Sequence, residues 1–253
     1  MAKIILKNIS LSINDIEIKK RIFEKNYKKD LAENMVGSVI QTSNKGEVKS
    51  KILDDISIEF NEGDKVAIIG HNGSGKTTLL RVIANIYEPT SGEIKVDGDI
   101  MPCLNVSNVF NPMADGYKNI EIVNRFLKNN NIIDQDKINE IEEISELGPY
   151  LNFPIKNYSS GMLARLLFAI VIVNKSEILL IDEGINTGDI FFQNKATKLL
   201  KQKINDTKIN IIASHSEDFL RNLCNKALVM KKGKIKYFSD VNVAFNFYNS
   251  NNY

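Results

Sequence analysis

KVAIIGHNGSGKTTLLRVIANIY, residues 65–87, decides the fold. KVAIIG is an apolar run of strand length, and KTTLLRVIANIY (76–87) carries apolar residues at helical spacing. Between them GHNGSGKT, Gly70 to Thr77, matches G-x-x-x-x-G-K-[ST] in the strand–loop–helix context this motif requires. Gly70, Gly73 and Gly75 let the backbone curl so that successive N–H groups point inward at phosphate oxygens. His71, Asn72, Ser74 and Thr78 complete the candidate cradle, and the following helix adds the positive end of its dipole. Lys76 has the reach for the β- and γ-phosphates of a nucleotide, and the Thr77 hydroxyl suits Mg²⁺. The expected ligands are therefore a nucleoside polyphosphate and Mg²⁺.

Further along, ILLIDE (178–183) reads as a buried parallel strand with two acids at its carboxyl end, where ligands of such sheets bind. Asp182 is the candidate Mg²⁺ residue, acting through water, and Glu183 the candidate base for an attacking water. Alone, an apolar run ending in Asp-Glu often marks no more than a strand end. The phosphate loop gives it the functional reading. YSSGM (158–162) opens a run, SSGMLARLLFAIVIVN (159–174), that is apolar almost all round and is expected to be a buried helix. Ser159, Ser160 and Gly161 at its start present a hydroxyl and backbone N–H groups suited to a phosphate.

The rest of the chain fits around these. KIILKNI (3–9), ILDDISIEF (52–60) and EIKVDG (93–98) read as strands, the second with half-buried alternation. Residues 117–147 carry two polar-faced helical patterns separated by NNNIID, and DIFFQNKATKLLKQKI (189–204) another. INIIASHS (209–216) reads as a strand, ALVMKKGKIKYF (227–238) as a hairpin turning at Lys232-Gly233, and a short helix closes the chain. Residues 16–31 place Ile18, Ile22, Phe23, Tyr27 and Leu31 on one helical stripe flanked by basic residues, and 34–50 read as a loop or weak hairpin. Parallel βαβ units beside a separate set of alternating strands predict an α/β core with an antiparallel β subdomain.

Composition narrows the function. The 253 residues are 43% hydrophobic and 25% charged, values of an ordinary globular protein rather than of a disordered or fibrous one. Lys+Arg is 33 against Asp+Glu 31, so the net charge of +2 gives no argument for nucleic acid, and no nucleic-acid partner is expected. Cys103 and Cys224 lie far apart with no metal or redox spacing, as two free thiols of a reducing compartment. The longest unbroken apolar run, Leu166 to Val173, is far short of the roughly 18 residues of a membrane span. A membrane role is expected to be peripheral or through a partner.

With GHNGSGKT, ILLIDE and YSSGM in this order, the sequence resembles the nucleotide-binding subunits of ABC transporters. Their signature reads roughly Leu-Ser-Gly-Gly-Gln at the place of YSSGM. Ser159 and Gly161 match it, while Tyr158, Ser160 and Met162 depart from the majority form. The resemblance implies one ABC-type P-loop NTPase domain over 1–253, with an antiparallel β subdomain, a helical signature subdomain at about 105–172 and an insertion at 15–50. It also implies that the signature faces ATP held by a second copy of the chain. Asp189, after Thr187-Gly188, stands at the loop following the catalytic strand, and His215 at the switch histidine facing the γ-phosphate. Arg165 matches a signature-helix arginine, read as a structural ion pair. Most such subunits carry a Gln after the third strand, and none lies between Gly98 and Asn119 here. Asn105 is the nearest positional match as a metal contact, one methylene shorter. No adenine-stacking residue is assigned, since Phe23 and Tyr27 fit the insertion helix as packing residues.

These departures, together with GHNGSGKTTLLRVIANIYEPTSGEI (70–94), FNPMADGYKNI (110–120) and ASHSEDFLRNLCNKAL (213–228), look like the ATP-binding subunits of polysaccharide exporters. Such subunits serve capsule, O-antigen or teichoic acid export. The resemblance implies an ATPase peripheral to the cytoplasmic face of the inner or plasma membrane. Its partners would be a second copy, an integral membrane permease and a lipid-linked glycan. Some members append a carbohydrate-binding domain, for which this chain is expected to stop too soon. The rivals are an ABC subunit exporting a lipid or drug, and a soluble ABC ATPase of DNA repair or translation. Repair members need a long coiled coil between the positions of Lys76 and Ser159, and translation members usually have two such domains in one chain.

Overall fold

The computed structural model describes residues 1–12, 39–42, 48–104, 110–127, 133–182 and 190–251. The insertion helix expected at 16–31 lies outside them. Two sheets organise the rest. In the first, β1 (Lys3–Ser12) lies between β3 (Val48–Asn61) and β5 (Ser91–Asp97), and β2 (Val39–Thr42) pairs with the start of β3; all pairs are antiparallel. The pairing of Val39–Thr42 with 48–51 is the weak hairpin expected near 34–50.

The second sheet has the order β10-β9-β4-β8-β7-β6. Its strands are β4 (Lys65–Ile69), β6 (Ile100–Cys103), β7 (Ile178–Asp182), β8 (Ile209–Ala213), β9 (Lys226–Lys231) and β10 (Lys234–Asp240). The five from β9 to β6 are parallel, and β10 returns antiparallel to β9 through the turn at Lys232-Gly233.

Both faces of the parallel strands are covered, which is why they read as continuous apolar runs. Side chains alternate between two cores. Val66, Ile68, Ile178, Leu180, Ile209 and Ile211 pack towards the first sheet and helix α1 (Lys76–Ile83). Ala67, Ile69, Leu179, Ile181 and Ile212 pack on the opposite side towards the helices that follow. These are α2 (Gly116–Leu127), α3 (Gln135–Ser145), α4 (Ser160–Val173) and α5 (Ile190–Asp206). Short 3₁₀ turns at Gly148–Asn152 and Ile155–Asn157 connect α3 to α4. Helix α6 (Glu217–Leu223) follows β8, and α7 (Val241–Ser250) packs back on β9 and β10.

Several boundaries differ from the sequence reading. Helix α1 ends at Ile83 rather than Tyr87, because Asn85 takes a left-handed φ of 57° that terminates a helix. Strand β8 stops at Ala213, and Ser216 instead caps α6 by accepting from the Phe219 N–H at 3.4 Å. Strand β6 was not legible: four residues interrupted by Pro102 carry no alternation. Pro102 fits there because β6 is an edge strand, whose outer N–H side needs no partner. Helix α4 buries Leu166, Phe168, Ala169, Ile170, Val171 and Val173 as expected, while its first turn, Ser159 and Ser160, stays exposed. Its carboxyl end is capped by a buried cation: the Lys203 Nζ donates to the carbonyls of Ile172 and Asn174.

Candidate nucleotide-binding site

The site gathers at the carboxyl edge of the second sheet because three adjacent strands end there. Ala213 of β8 is in register with Ile68 of β4 on one side and Asp182 of β7 on the other. The loop after β4, the Asp182 carboxylate and the residues after Ala213 therefore share one edge. Ligands of parallel sheets bind at that edge, which is where the sequence reading put the acids ending ILLIDE.

Behind the loop stand residues from distant parts of the chain. A Cβ at Gly70 would collide with the carbonyl of Met230 in β9, and one at Gly75 would fall 3.1 Å from Leu53 Cδ2 in β3. Gly233, at the β9–β10 turn, has a left-handed φ of 74°. It donates its N–H to the Ser74 carbonyl at 3.0 Å and accepts from the Asp54 N–H at 2.9 Å, so no side chain fits between it and Ile52. Lys51 and Lys234 flank Asp54 and hold its carboxyl below the usual range through hydrogen bonds. The His71 ring meets the Tyr248 ring of α7, centroids 6.0 Å apart, and α7 is itself held by Phe247 stacked on Tyr237 at 4.5 Å. The sequence marked Gly233 only as a hairpin turn, and no signal marked Met230 or Tyr248, because their part behind the loop is a tertiary contact.

Within the loop, the buried Lys76 extends its Nζ to the carbonyls of Gly70 at 2.8 Å and His71 at 3.2 Å. The Thr77 hydroxyl donates to Asp182 Oδ1 at 3.2 Å, which joins the two candidate Mg²⁺ residues. Two features fit a phosphate group. Helix α1 starts at Gly75 with no side chain capping its first N–H groups and no acid in its first turn. The buried Ser74 Oγ has no hydrogen-bond partner. Loop N–H groups, an ammonium and an unpartnered hydroxyl around one concavity are what a polyphosphate needs. A hydroxyl beside one carboxylate suits Mg²⁺, which takes few protein ligands and fills its octahedron with phosphate and water. Among the described residues no group of three His, Cys, Asp or Glu gathers as a metal cage.

Cys103 ends β6 next to Asp182's strand, and burial, with the Asp182 charge added, pushes its thiol up to about 12. It stays an unreactive thiol at neutral pH. His215 is exposed after β8. Glu183, Asp189 and Asn105 lie outside the described residues. Ser159, Ser160 and Gly161 stand elsewhere, at the start of α4 in the helical layer, where the Ser159 Oγ accepts from the Met162 N–H at 3.2 Å. Arg165 of this helix makes the expected structural contacts, 3.8 Å from Glu146 and with its guanidinium 4.6 Å from the Phe192 ring centre.

Loop, strand and acid in this arrangement define a P-loop ATPase. The family model described as ABC transporter matches residues 53–186, and the chain belongs to that family as its ATP-binding, ATP-hydrolysing domain. It is 38% identical over 235 residues to the O-antigen export system ATP-binding protein RfbE of Yersinia enterocolitica, covering 93% of this chain and 97% of that one. It is 40% identical over 200 residues to the capsule polysaccharide export ATP-binding protein CtrD of Neisseria meningitidis serogroup B, covering 79% and 90%. Among solved structures, the ATP-binding cassette MJ0796, a dimer in a post-hydrolysis state with ADP and Pi, matches with a TM-score of 0.69. That match is 20% identical and covers 94% of this chain and 98% of that one, which supports the fold. Among the described residues no helix is long and apolar enough to cross a membrane.

Proposed function

We propose that this chain powers export of a lipid-linked polysaccharide through a separate membrane permease. It would work as a head-to-tail pair of copies at the cytoplasmic face of the inner or plasma membrane. The observation that carries the substrate class is the 38% identity to an O-antigen export ATP-binding protein along nearly the full length of both chains. Met113, Tyr150 and Phe153, exposed on two segments that backbone hydrogen bonds join, are the residues offered to a membrane partner in this reading.

ATP is the substrate that supplies the phosphoanhydride bond, and Mg²⁺, when bound, would neutralise charge on its oxygens. Lys76 leaves the carbonyls of Gly70 and His71 to meet the β- and γ-phosphates. Thr77 and, through water, Asp182 would hold the metal. Glu183 accepts a proton from the attacking water, and His215 faces the γ-phosphate. Ser159, Ser160 and Gly161 of the second copy close the site, with Asp189 in the segment facing that copy.

The test is reconstitution of the chain with its permease in liposomes containing the glycan lipid. ATP turnover rises with glycan lipid under this reading. Stimulation by an unrelated lipid or drug, with none by glycan lipid, assigns another cargo.

A further inference from the structure

Tyr158 stands where the majority signature has a Leu, and its phenol is used. The side chain is only 8% exposed, and its Oη donates to the Tyr150 carbonyl at 2.7 Å. It lies over Gly116 at the start of α2: a Cβ there would fall 2.6 Å from the Tyr158 Oη and 2.9 Å from the Leu151 Cα. Burial first, then the charges of Asp115 and Tyr117, pushes the phenol up to about 12, so it keeps its proton at neutral pH.

Around this ring two segments are stitched together. The Ile155 N–H donates to the Ala114 carbonyl and the Lys156 N–H to the Pro112 carbonyl, both at 3.0 Å, and Asp115 bridges to Pro154. The fully buried Asn119 ties the same turn from inside. Its Nδ2 donates to the carbonyls of Asn111, Ala114 and Asp115, and its Oδ1 accepts from the Asn111 N–H. On the outside of this unit Met113, Tyr150 and Phe153 are 69%, 60% and 54% exposed. One residue beyond Tyr158, Ser159 begins α4.

We propose that Tyr158 is a positioning residue: through the Tyr150 carbonyl and the space over Gly116, it holds the signature turn at Ser159 in register with the exposed face of Met113, Tyr150 and Phe153. A Leu would fill part of the ring's space but remove the phenol bond that ties Tyr158 to the Tyr150 carbonyl, leaving that carbonyl only the Phe153 N–H at 2.9 Å. Displacement of the outer face is then transmitted to Ser159 by one short, buried connection. The proposal rests on the two-copy reading above.

The experiment uses the full chain in a Glu183→Gln background, with MgATP and analytical ultracentrifugation. Tyr158→Phe removes the hydroxyl alone. Loss of one neutral hydrogen bond weakens dimerisation about 3–10-fold, while a fluorescent ATP analogue binds dilute monomer with the parent's affinity. Gly116→Ala, which intrudes on the same phenol, shifts dimerisation in the same direction. A purely structural role would lower the melting temperature without this split. A Tyr158→Phe protein that dimerises like its parent, or loses nucleotide affinity in parallel, overturns the assignment. A parent that stays monomeric overturns the two-copy reading and this proposal with it.

Discussion

The phosphate loop and the signature turn are both helix starts built of small residues, yet their N–H groups are treated oppositely. Helix α1 begins at Gly75 with no side chain spent on its first turn, and β3, β9 and the turn at Gly233 brace the loop from behind. Helix α4 begins at Ser159, whose hydroxyl already accepts from the Met162 N–H, and its first turn faces outward. The first leaves its helix start uncapped by any side chain, with the Lys76 ammonium held on the loop's own carbonyls. The second is satisfied within its own chain, yet the Ser159 hydroxyl retains a proton to give to an outside acceptor. One region is braced from within a single copy, and the other makes sense when something is brought to it.

The contrast breaks most visibly at Lys76. Replacing it with Ala removes the ammonium of the loop, and both MgATP binding and hydrolysis should be lost in a steady-state ATPase assay; wild-type turnover would refute the site. Glu183→Gln should slow hydrolysis by about 10²–10⁴-fold while leaving ATP binding close to normal, since a positioned base acts on rate. Single-turnover kinetics beside a nucleotide titration separates the two.

Gly233→Ala sharpens the comparison from the rear of the loop. Its left-handed backbone and the Ile52 carbonyl resist a side chain, so the variant should lose about 1–3 kcal/mol of stability. It should also bind ATP more weakly, because the bond to the Ser74 carbonyl is disturbed. Thermal melts together with the fluorescent-analogue titration read both. Ser159→Ala should have the smallest effect on the isolated chain, about 1 kcal/mol for a lost helix cap. Its nucleotide affinity as a monomer should stay normal, which no loop variant would show.

The loop side was legible in the sequence because its chemistry is local. Gly70 to Thr77 lies between a strand and a helix whose periodicities are plain, and Asp182 ends an apolar run that could only be a buried strand. Strand β8 was overrun by three residues, since Ser214 to Ser216 look no different in a strand end than in a helix cap. Strand β6 is too short and carries Pro102. The braces were hidden for another reason: Gly233 read as a hairpin turn and Met230 and Asp54 as ordinary strand residues, and their hold on the loop exists only where two sheets meet. The signature turn was partly legible. Ser159 and Gly161 read directly, whereas the use of Tyr158 needed the Tyr150 carbonyl and Gly116, 8 and 42 residues away, to be brought to it.

The central claim, that the phosphate loop of one copy and the signature of another share one ATP, is tested most directly by complementation between two disabled chains. Lys76→Ala spoils only the loop, and Ser159→Arg only the signature. Each protein alone should be inactive. Mixed in equal amounts with the permease, they form symmetric pairs and mixed pairs, and each mixed pair holds one intact composite site. About a quarter of wild-type turnover should return if pairing is random and the two sites act independently. A mixture no more active than its separate components, or full activity in the Ser159→Arg chain by itself, would contradict the account.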